Sequence, residues 1–94
     1  MNKYETVIII NSSVEEEAMK TLIQKFQDLI NTAGEVESVE EMGKKKLAYL
    51  IKKQKEAYYV LINFIAKPEL ISELERVYGI TDEVLKFIVI KKES

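Results

Sequence analysis

Two hydrophobic periodicities alternate along the chain, and their order constrains the fold more than any other feature of the sequence. Runs of β-branched and aromatic residues predict strands at residues 4–10, 57–65 and 84–90, and partial alternation of apolar with charged residues predicts a long strand at residues 35–50. Apolar residues at three- and four-residue intervals predict helices at residues 14–33 and 68–78. With short connections and right-handed crossovers, this βαββαβ order predicts an α+β, ferredoxin-like split βαβ sandwich. We therefore expect a four-stranded antiparallel sheet with two helices on one face, formed by residues 1–94 as a single domain.

A few residues predict where these elements begin, bend and end. Ser12 or Ser13, each followed by glutamate three residues later, predicts a capping box at the start of the first helix. Gly34 and Gly79 are predicted to end the two helices as C-terminal caps. Gly43 interrupts the second strand and predicts a bulge or bend. In the predicted topology the apolar first and third strands are central, and the charged second strand lies at an edge.

Alternate residues of the two central strands predict an apolar patch on the sheet face that the helices leave bare. Successive side chains of a strand point to opposite faces, and Glu5 and Asn63 mark the face that water reaches. The same face carries five apolar residues, namely Val7, Ile9, Tyr59, Leu61 and Ile65. Because a large exposed apolar patch is typical of an interaction site, we expect a partner to cover it. A homodimer, or an error in the assumed alternation, explains the same pattern.

A sharp reversal of charge marks the second strand and the turn after it. Residues 35–41 hold four glutamates and no base, whereas residues 43–55 hold six lysines and no acid. Since the whole chain carries a net charge of −2, this concentrated positive field indicates a docking surface rather than a general affinity for polyanions. Three interpretations of Lys44, Lys45 and Lys46 stay open: contact with RNA, contact with a protein partner, and a solvated edge that prevents sheet aggregation.

The composition makes catalysis the less favoured interpretation. The chain has neither cysteine nor histidine, so it lacks the commonest general base, the commonest neutral metal ligand and the thiol nucleophile. It also lacks the glycine-rich fingerprints of nucleotide-binding loops, and no apolar run approaches the ~20 residues that cross a bilayer. We therefore expect a non-enzymatic, cytoplasmic protein with no cofactor, no metal, no membrane contact and no small-molecule substrate.

Short motifs distributed over the whole chain resemble those of a known family. They are KYE at residues 3–5, GKKKLAY at residues 43–49, AYYV at residues 57–60, NF at residues 63–64 and VIKK at residues 89–92. Together with the order of elements and the length, these motifs resemble the bacterial small-subunit ribosomal protein six family. The resemblance implies the same sandwich fold and a structural role in the small ribosomal subunit. It also implies binding to small-subunit ribosomal RNA in the central (platform) region, as a heterodimer with small-subunit ribosomal protein eighteen.

The resemblance and the charge pattern together give a set of candidate site residues. The residues that we expect to bind RNA are Lys3, Tyr4, Lys44, Lys86, Lys91 and Lys92. The first and last strands are neighbours, so Lys3, Lys91 and Lys92 are predicted to form a basic cluster, and Tyr4 to stack on or hydrogen-bond to RNA. The residues that we expect to bind the protein partner are Glu40, Glu41, Lys45, Lys46, Val7, Ile9, Tyr59 and Leu61.

The third strand also resembles the RNA-reading strand of single-strand RNA-binding sheets, but it lacks two small positions and one aromatic of that pattern. Base stacking on the sheet is therefore not expected. Tyr58 and Phe64 are assigned to the core instead.

Two other functions use the same predicted fold. A homo-oligomeric ligand-binding regulatory domain would bury the bare sheet face in a stable dimer, whereas we expect the isolated chain to be a monomer that lacks a heterologous partner. An acylphosphatase-like enzyme would need an arginine in a loop after the first strand. The only arginine of the chain, Arg76, lies in the second predicted helix, which disfavours that enzyme.

Overall fold

The structure is a computed structural model that describes residues 1–92. Its elements are β1 (Asn2–Asn11), α1 (Glu16–Asn31), β2 (Gly34–Ile51), β3 (Gln54–Ala66), α2 (Pro68–Ile80) and β4 (Val84–Lys91). Within the described range the strands form one antiparallel sheet in the order β2-β3-β1-β4. The predicted ferredoxin-like sandwich is therefore confirmed, including the central position of β1 and β3 and the edge position of β2.

The core lies between the two helices and one face of the sheet. Alternate residues of the central strands, such as Ile8, Val60 and Phe64, are fully buried there. The helices contribute apolar residues at helical spacing, with Phe26 and Ile30 from α1 among them. Because burial of one such side chain stabilises the fold by about 1.5–3 kcal/mol, this layer holds the helices on the sheet. Phe64 is thus in the core as predicted, whereas Tyr58 is only partly buried at its margin.

A polar residue of β1, Thr6, is buried on this face, and its hydroxyl connects three elements. The hydroxyl of Thr6 on β1 donates to the carbonyl oxygen of Ile88 on β4 at 3.0 Å. Since that hydroxyl has a single proton, the contact of 3.3 Å between Thr6 Oγ1 and Tyr78 Oη is a hydrogen bond that Tyr78 of α2 donates. Burial raises the pKa of the Tyr78 phenol above its ordinary value of 10.0. Both hydroxyls are therefore satisfied inside the core.

The edge strand β2 is long and irregular. Its pairing with β3 shifts register at three places, and one of them lies between Glu41 and Gly43. Gly43 has a φ of +82°, a backbone conformation that glycine adopts without steric cost, so the predicted bulge is confirmed. Beyond this bulge β2 and β3 continue as a hairpin arm whose tip residues, Lys52 and Lys53, have φ values of 48° and 67°.

Three predictions about the ends of the helices were wrong. The capping box does not form: the backbone N–H and the hydroxyl of Ser13 both donate to Asn11 Oδ1, and α1 starts after Glu15 without a side-chain cap. Gly34 is the first residue of β2, and a Cβ there would lie 2.1 Å from the carbonyl oxygen of Ile65. Gly79 lies inside α2. The residues that cap the helix ends are instead Thr32 and Thr81, whose hydroxyls donate to the carbonyls of Leu29 and Val77.

Candidate binding surface on the open face of the sheet

The sheet face opposite the helices carries a continuous apolar band. Val7 of β1 lies directly between Leu61 of β3 and Ile88 of β4, so the three side chains form one row across the sheet. Val7 and Leu61 are half-buried, whereas Ile88 and Ile90 are 44% and 52% exposed. The predicted alternation along the central strands is thus correct. Ile88 and Ile90 therefore leave part of the band open to solvent.

One end of this face is already covered by the chain itself. Ile9 is only 6% exposed, although it shares the face of Val7. The cause is the hairpin arm, which encloses a cavity of about 160 Å³ against the sheet. The residues that line this cavity are Ile9, Leu47, Ala48, Tyr49, Ile51, Tyr59, Lys86 and Ile88. Of the candidate partner-binding residues, Ile9 is therefore reached only through the cavity, and Tyr59 forms part of its wall.

Lysines lie around the opposite end of the band. The backbone N–H of Lys92 donates to the carbonyl of Lys3 at 2.8 Å, so the two residues are cross-strand neighbours at the sheet end. The ammonium of Lys92 donates to Asn63 Oδ1 and lies 3.5 Å from a carboxylate oxygen of Glu5. These contacts hold its charge over the open face. Lys91 is opposite Tyr4 and therefore belongs to the other face, so the expected basic cluster is divided between the two faces.

Tyr4 does not offer its ring to a ligand. The side chain is 6% exposed and stacks on Phe64, with ring centroids 5.5 Å apart and an interplanar angle of 25°. The expected stacking of an RNA base on this ring was wrong, because Phe64 and the core occupy the position. The phenol oxygen lies 3.4 Å from Asn2 Nδ2 at the end of the strand, and the expected hydrogen bond from this group to RNA stays a prediction.

The charged residues of β2 also divide between the two faces. Glu40 is opposite Leu61 and lies on the open face, whereas Glu41 is opposite Val60 and accepts a hydrogen bond from the Tyr58 hydroxyl at 3.0 Å. Burial and this hydrogen bond raise the pKa of Tyr58. The sequence could not reveal that Glu41 has a partner within its own chain, because the two residues are separated by a strand and a bulge.

The lysines after the bulge alternate in the same way. Lys44 is opposite Tyr58, Lys45 is opposite Ala57 and Lys46 is opposite Glu56. All three side chains are exposed. Lys44 lines a second cavity, of about 310 Å³, between the start of α1 and the sheet. Only Lys45 therefore shares the side of the sheet that carries the apolar band.

The remaining chemistry of the surface is sparse. Among residues 1–92 no group of three or more carboxylates, histidines or cysteines is placed to hold a metal ion. No helix in this range combines the length and apolar character that spanning a bilayer requires. What the arrangement offers is an apolar band, backbone edges and fixed charges, which are the features of an association surface.

Fold and surface together define a ferredoxin-like protein that acts through association with other macromolecules. Residues 3–91 match the family described as Ribosomal protein S6. The chain is 53% identical to small ribosomal subunit protein bS6 of Clostridium novyi and 52% identical to that of Clostridium perfringens, with 100% of each chain covered in both comparisons. It superposes on the crystal structure of 30S ribosomal protein S6 from Thermotoga maritima with a TM-score of 0.92, at 32% identity, covering 97% of this chain and 87% of that one.

The chain therefore belongs to the ribosomal protein S6 family. Members of this family are structural, non-enzymatic components of the small ribosomal subunit, and this chain has that structural role in the bacterial ribosome. The predicted family, fold and non-enzymatic character are thus confirmed.

Sequence reasoning missed the groups whose partners lie far along the chain. The buried Thr6–Tyr78 hydrogen bond joins residues 72 positions apart, and no spacing rule reports such a pair. Asn63 gave a usable signal, since it is a polar residue in an otherwise apolar strand. The structure shows that it holds the ammonium of Lys92.

Proposed function

We propose that this chain binds small-subunit ribosomal RNA in the central (platform) region as a heterodimer with small-subunit ribosomal protein eighteen. The observation that carries the proposal is the half-exposed apolar band, formed by Val7, Leu61, Ile88 and Ile90, with lysines beside it in a chain of net charge −2. An apolar band of this kind favours a protein partner, whereas lysines at its margin favour phosphates.

The protein partner covers the open face in this proposal. Val7, Leu61 and Tyr59 supply apolar contact area, and Ile9 closes the cavity behind Tyr59. Glu40 and Lys45 lie on the same side and pair with partner charges at the rim. Glu41 and Lys46 face the other way, so in this proposal they contribute only where the partner wraps around the β2 edge. The isolated chain is a monomer.

The RNA contacts lie where the start of β1 meets the end of β4. Lys3 and Lys92 are cross-strand neighbours there, and Lys91 extends from the other face of the same edge. Lys86 and Lys44 add charge farther along the surface. Contacts of this kind bind phosphates and fix orientation, so specificity comes from RNA shape and from the protein partner.

A filter-binding titration with a small-subunit ribosomal RNA fragment, in the presence and absence of protein eighteen, tests the RNA proposal. The double variant Lys3→Gln/Lys91→Gln removes two exposed charges from the proposed contact, and Lys25→Gln/Lys67→Gln removes two exposed charges elsewhere. We expect the first variant to reduce the slope of log affinity against log salt by about 1–2, because fewer counterions are released, and the second to leave the slope unchanged. Equal slopes for all three proteins, or no salt-dependent retention of the RNA, would contradict the proposal.

A separate experiment tests the protein contact. Leu61→Asp places a charge in the middle of the apolar band, and the control Ile80→Asp places one on an isoleucine that is 66% exposed at the end of α2. By isothermal titration calorimetry with protein eighteen we expect the first variant to bind at least about tenfold more weakly and the second to bind normally. Light scattering of the unmodified chain supplies the complementary measurement. A stable homodimer that dissociates in the Leu61→Asp variant would contradict the proposal that a different protein covers the open face.

A further inference from the structure

The two edges of the sheet differ in how far they are protected against pairing with another strand. The β2 edge carries exposed charges of both signs and three register shifts, which are devices that prevent an additional strand from pairing. The β4 edge has an unbroken register with β1 from Lys86 to Lys91, and these two lysines are the only charged residues within the strand. β4 is therefore the edge at which a further strand can pair regularly.

The backbone groups that β4 leaves free can be identified from its bonds to β1. The backbone N–H of Lys92 donates to the carbonyl of Lys3, and the carbonyl of Ile88 accepts from the side-chain hydroxyl of Thr6 on β1. Even-numbered residues of this strand therefore direct their backbone groups toward β1. Phe87, Val89 and Lys91 consequently direct their N–H and C=O groups away from the sheet. Within residues 1–92 none of these three residues makes a backbone hydrogen bond outside the strand ladder.

The charge along this edge indicates what can pair with it. Between Val84 and Lys92 there are three lysines, Lys86, Lys91 and Lys92, and no acid. Exposed Ile88 and Ile90 lie between these charges on the open face. A segment with acids at both ends and β-branched residues between them would match both features, since opposite charges across neighbouring strands are favourable.

A second copy of the chain matches the edge less well. The antiparallel register that pairs all three outward residues is centred on Val89, and it sets Lys86 of each copy opposite Lys92 of the other. Like charges directly opposite one another destabilise a strand pair. RNA has no backbone N–H and C=O groups with strand spacing, so it cannot continue the ladder.

We propose that the free edge of β4 is a docking site for an extended, acidic segment of a protein partner, which adds a further antiparallel strand beside Phe87, Val89 and Lys91. Such β-augmentation derives its affinity from main-chain hydrogen bonds and its selectivity from alternate side chains. The site lies beyond the apolar band and needs no cover on the open face. It uses Lys86, Lys91 and Lys92, so an acidic segment bound there excludes the RNA contacts proposed for these lysines.

The test uses the full chain, labelled with ¹⁵N, and two synthetic heptapeptides. EEVTVTE places acids opposite the three lysines in the antiparallel register, and KKVTVTK keeps its apolar residues but reverses its charge. We expect the acidic peptide to slow hydrogen exchange of the Phe87, Val89 and Lys91 amides by at least about tenfold, while the Ile88 and Ile90 amides are already protected by β1. The lysine peptide should bind at least about tenfold more weakly.

Two variants at one position separate the backbone contribution from the side chain. Val89→Pro removes the outward N–H and leaves the β1 ladder intact, because proline is tolerated where an edge N–H faces solvent. Val89→Ala removes most of the side chain but keeps the N–H. We expect Val89→Pro to weaken binding of the acidic peptide by at least about tenfold and Val89→Ala by less than about threefold.

Three outcomes would overturn the inference. The first is equal binding of the two peptides, and the second is chemical-shift change confined to the open-face residues Val7 and Leu61. The third is protection of the three outward amides that rises with protein concentration and without peptide, which would make a second copy the occupant. Because the peptide titration uses neither RNA nor protein eighteen, its result is independent of the Leu61→Asp experiment.

Discussion

The two faces of the central strands carry similar residue types but differ in burial. Ile8 and Ile62 are fully buried on the helix side, whereas Leu61 remains half-buried and Ile88 is 44% exposed on the open side. The difference comes from the helices, whose apolar stripes cover only one face. Hydrophobicity of a strand therefore indicates that a face will be covered but does not say whether the chain itself or a partner covers it.

A matched pair of isoleucine substitutions tests this difference between the two faces, and it has the largest expected effect on stability. Ile8→Ala opens a cavity in a site with no exposure and should lower the free energy of unfolding by about 2–5 kcal/mol. Ile88→Ala, on the exposed face of the same sheet, should cost about 1 kcal/mol or less because little apolar surface is lost from the interior. Urea denaturation of both variants measures the difference. Equal losses would show that the open face is as tightly packed as the core.

A second pair of variants compares a buried hydroxyl with an exposed one. Thr6→Val leaves the Tyr78 hydroxyl without an acceptor inside the core, so it should lower the free energy of unfolding by about 1–3 kcal/mol. Thr21 is exposed on α1 and its hydroxyl donates to the Glu17 carbonyl, so Thr21→Val should change stability by less than about 0.5 kcal/mol. Thermal and urea unfolding provide the measurement. If Thr6→Val left the free energy of unfolding unchanged, a water molecule would have to accept the hydrogen bond from the Tyr78 hydroxyl.

Alkaline pH tests the same buried group in another way. The pKa of Tyr78 is raised by burial above 10.0, so above that pH the unfolded chain releases a proton that the folded chain retains. Stability is therefore unaffected by this group below pH 10 and falls as pH rises past it, by up to about 1.4 kcal/mol per pH unit. Tyr78→Phe should remove this component of the slope above about pH 10.

The control for the alkaline experiment is Tyr49→Phe, because Tyr49 is 65% exposed on the hairpin arm. Its slope should equal that of the unmodified chain. The slopes are compared rather than the absolute stabilities, since Tyr78→Phe also removes the hydrogen bond to Thr6. Identical slopes for both variants would contradict the burial of the Tyr78 hydroxyl.

The smallest effect is expected for the ion pair on the open face. Lys92 and Glu5 are 3.5 Å apart, with side chains that are 39% and 31% exposed, so water screens their attraction. A double-mutant cycle of Glu5→Gln and Lys92→Met should give a coupling of about 0–1 kcal/mol. A coupling well above this range would mean that the open face excludes water as the helix side does, and the contrast between the two faces would fail.

The sequence was sufficient for the topology because each step depended on local patterns. Strand and helix periodicities, the bulge at Gly43 and the alternation along β1 and β3 are all encoded by neighbours in sequence. The predicted caps failed for the opposite reason. Ser13 donates to the side chain of Asn11 instead of capping α1. Position 34 has no room for a side chain because the backbone of Ile65, which is remote in sequence, lies against it.

The candidate site was predicted in part for the same physical reasons. The apolar band follows from alternation, and the neighbouring positions of Lys3 and Lys92 follow from strand order. The burial of Ile9 depends on the curvature of the hairpin arm, and the pairing of Glu41 with Tyr58 depends on a bulge in β2. Neither curvature nor register after a bulge can be read from residue types, so these contacts required the structure.

The tip of the hairpin arm combines an unusual backbone conformation with positive charge. Lys52 and Lys53 both have positive φ values in a two-residue turn, where asparagine and glycine are the usual occupants. Two side-chain-bearing residues are thus held in a disfavoured backbone conformation, and the tip of the arm consists of two consecutive exposed lysines. An Asn-Gly pair at the tip would remove this backbone strain but also the two positive charges. The lysines therefore give the arm a positively charged end at some cost in local stability.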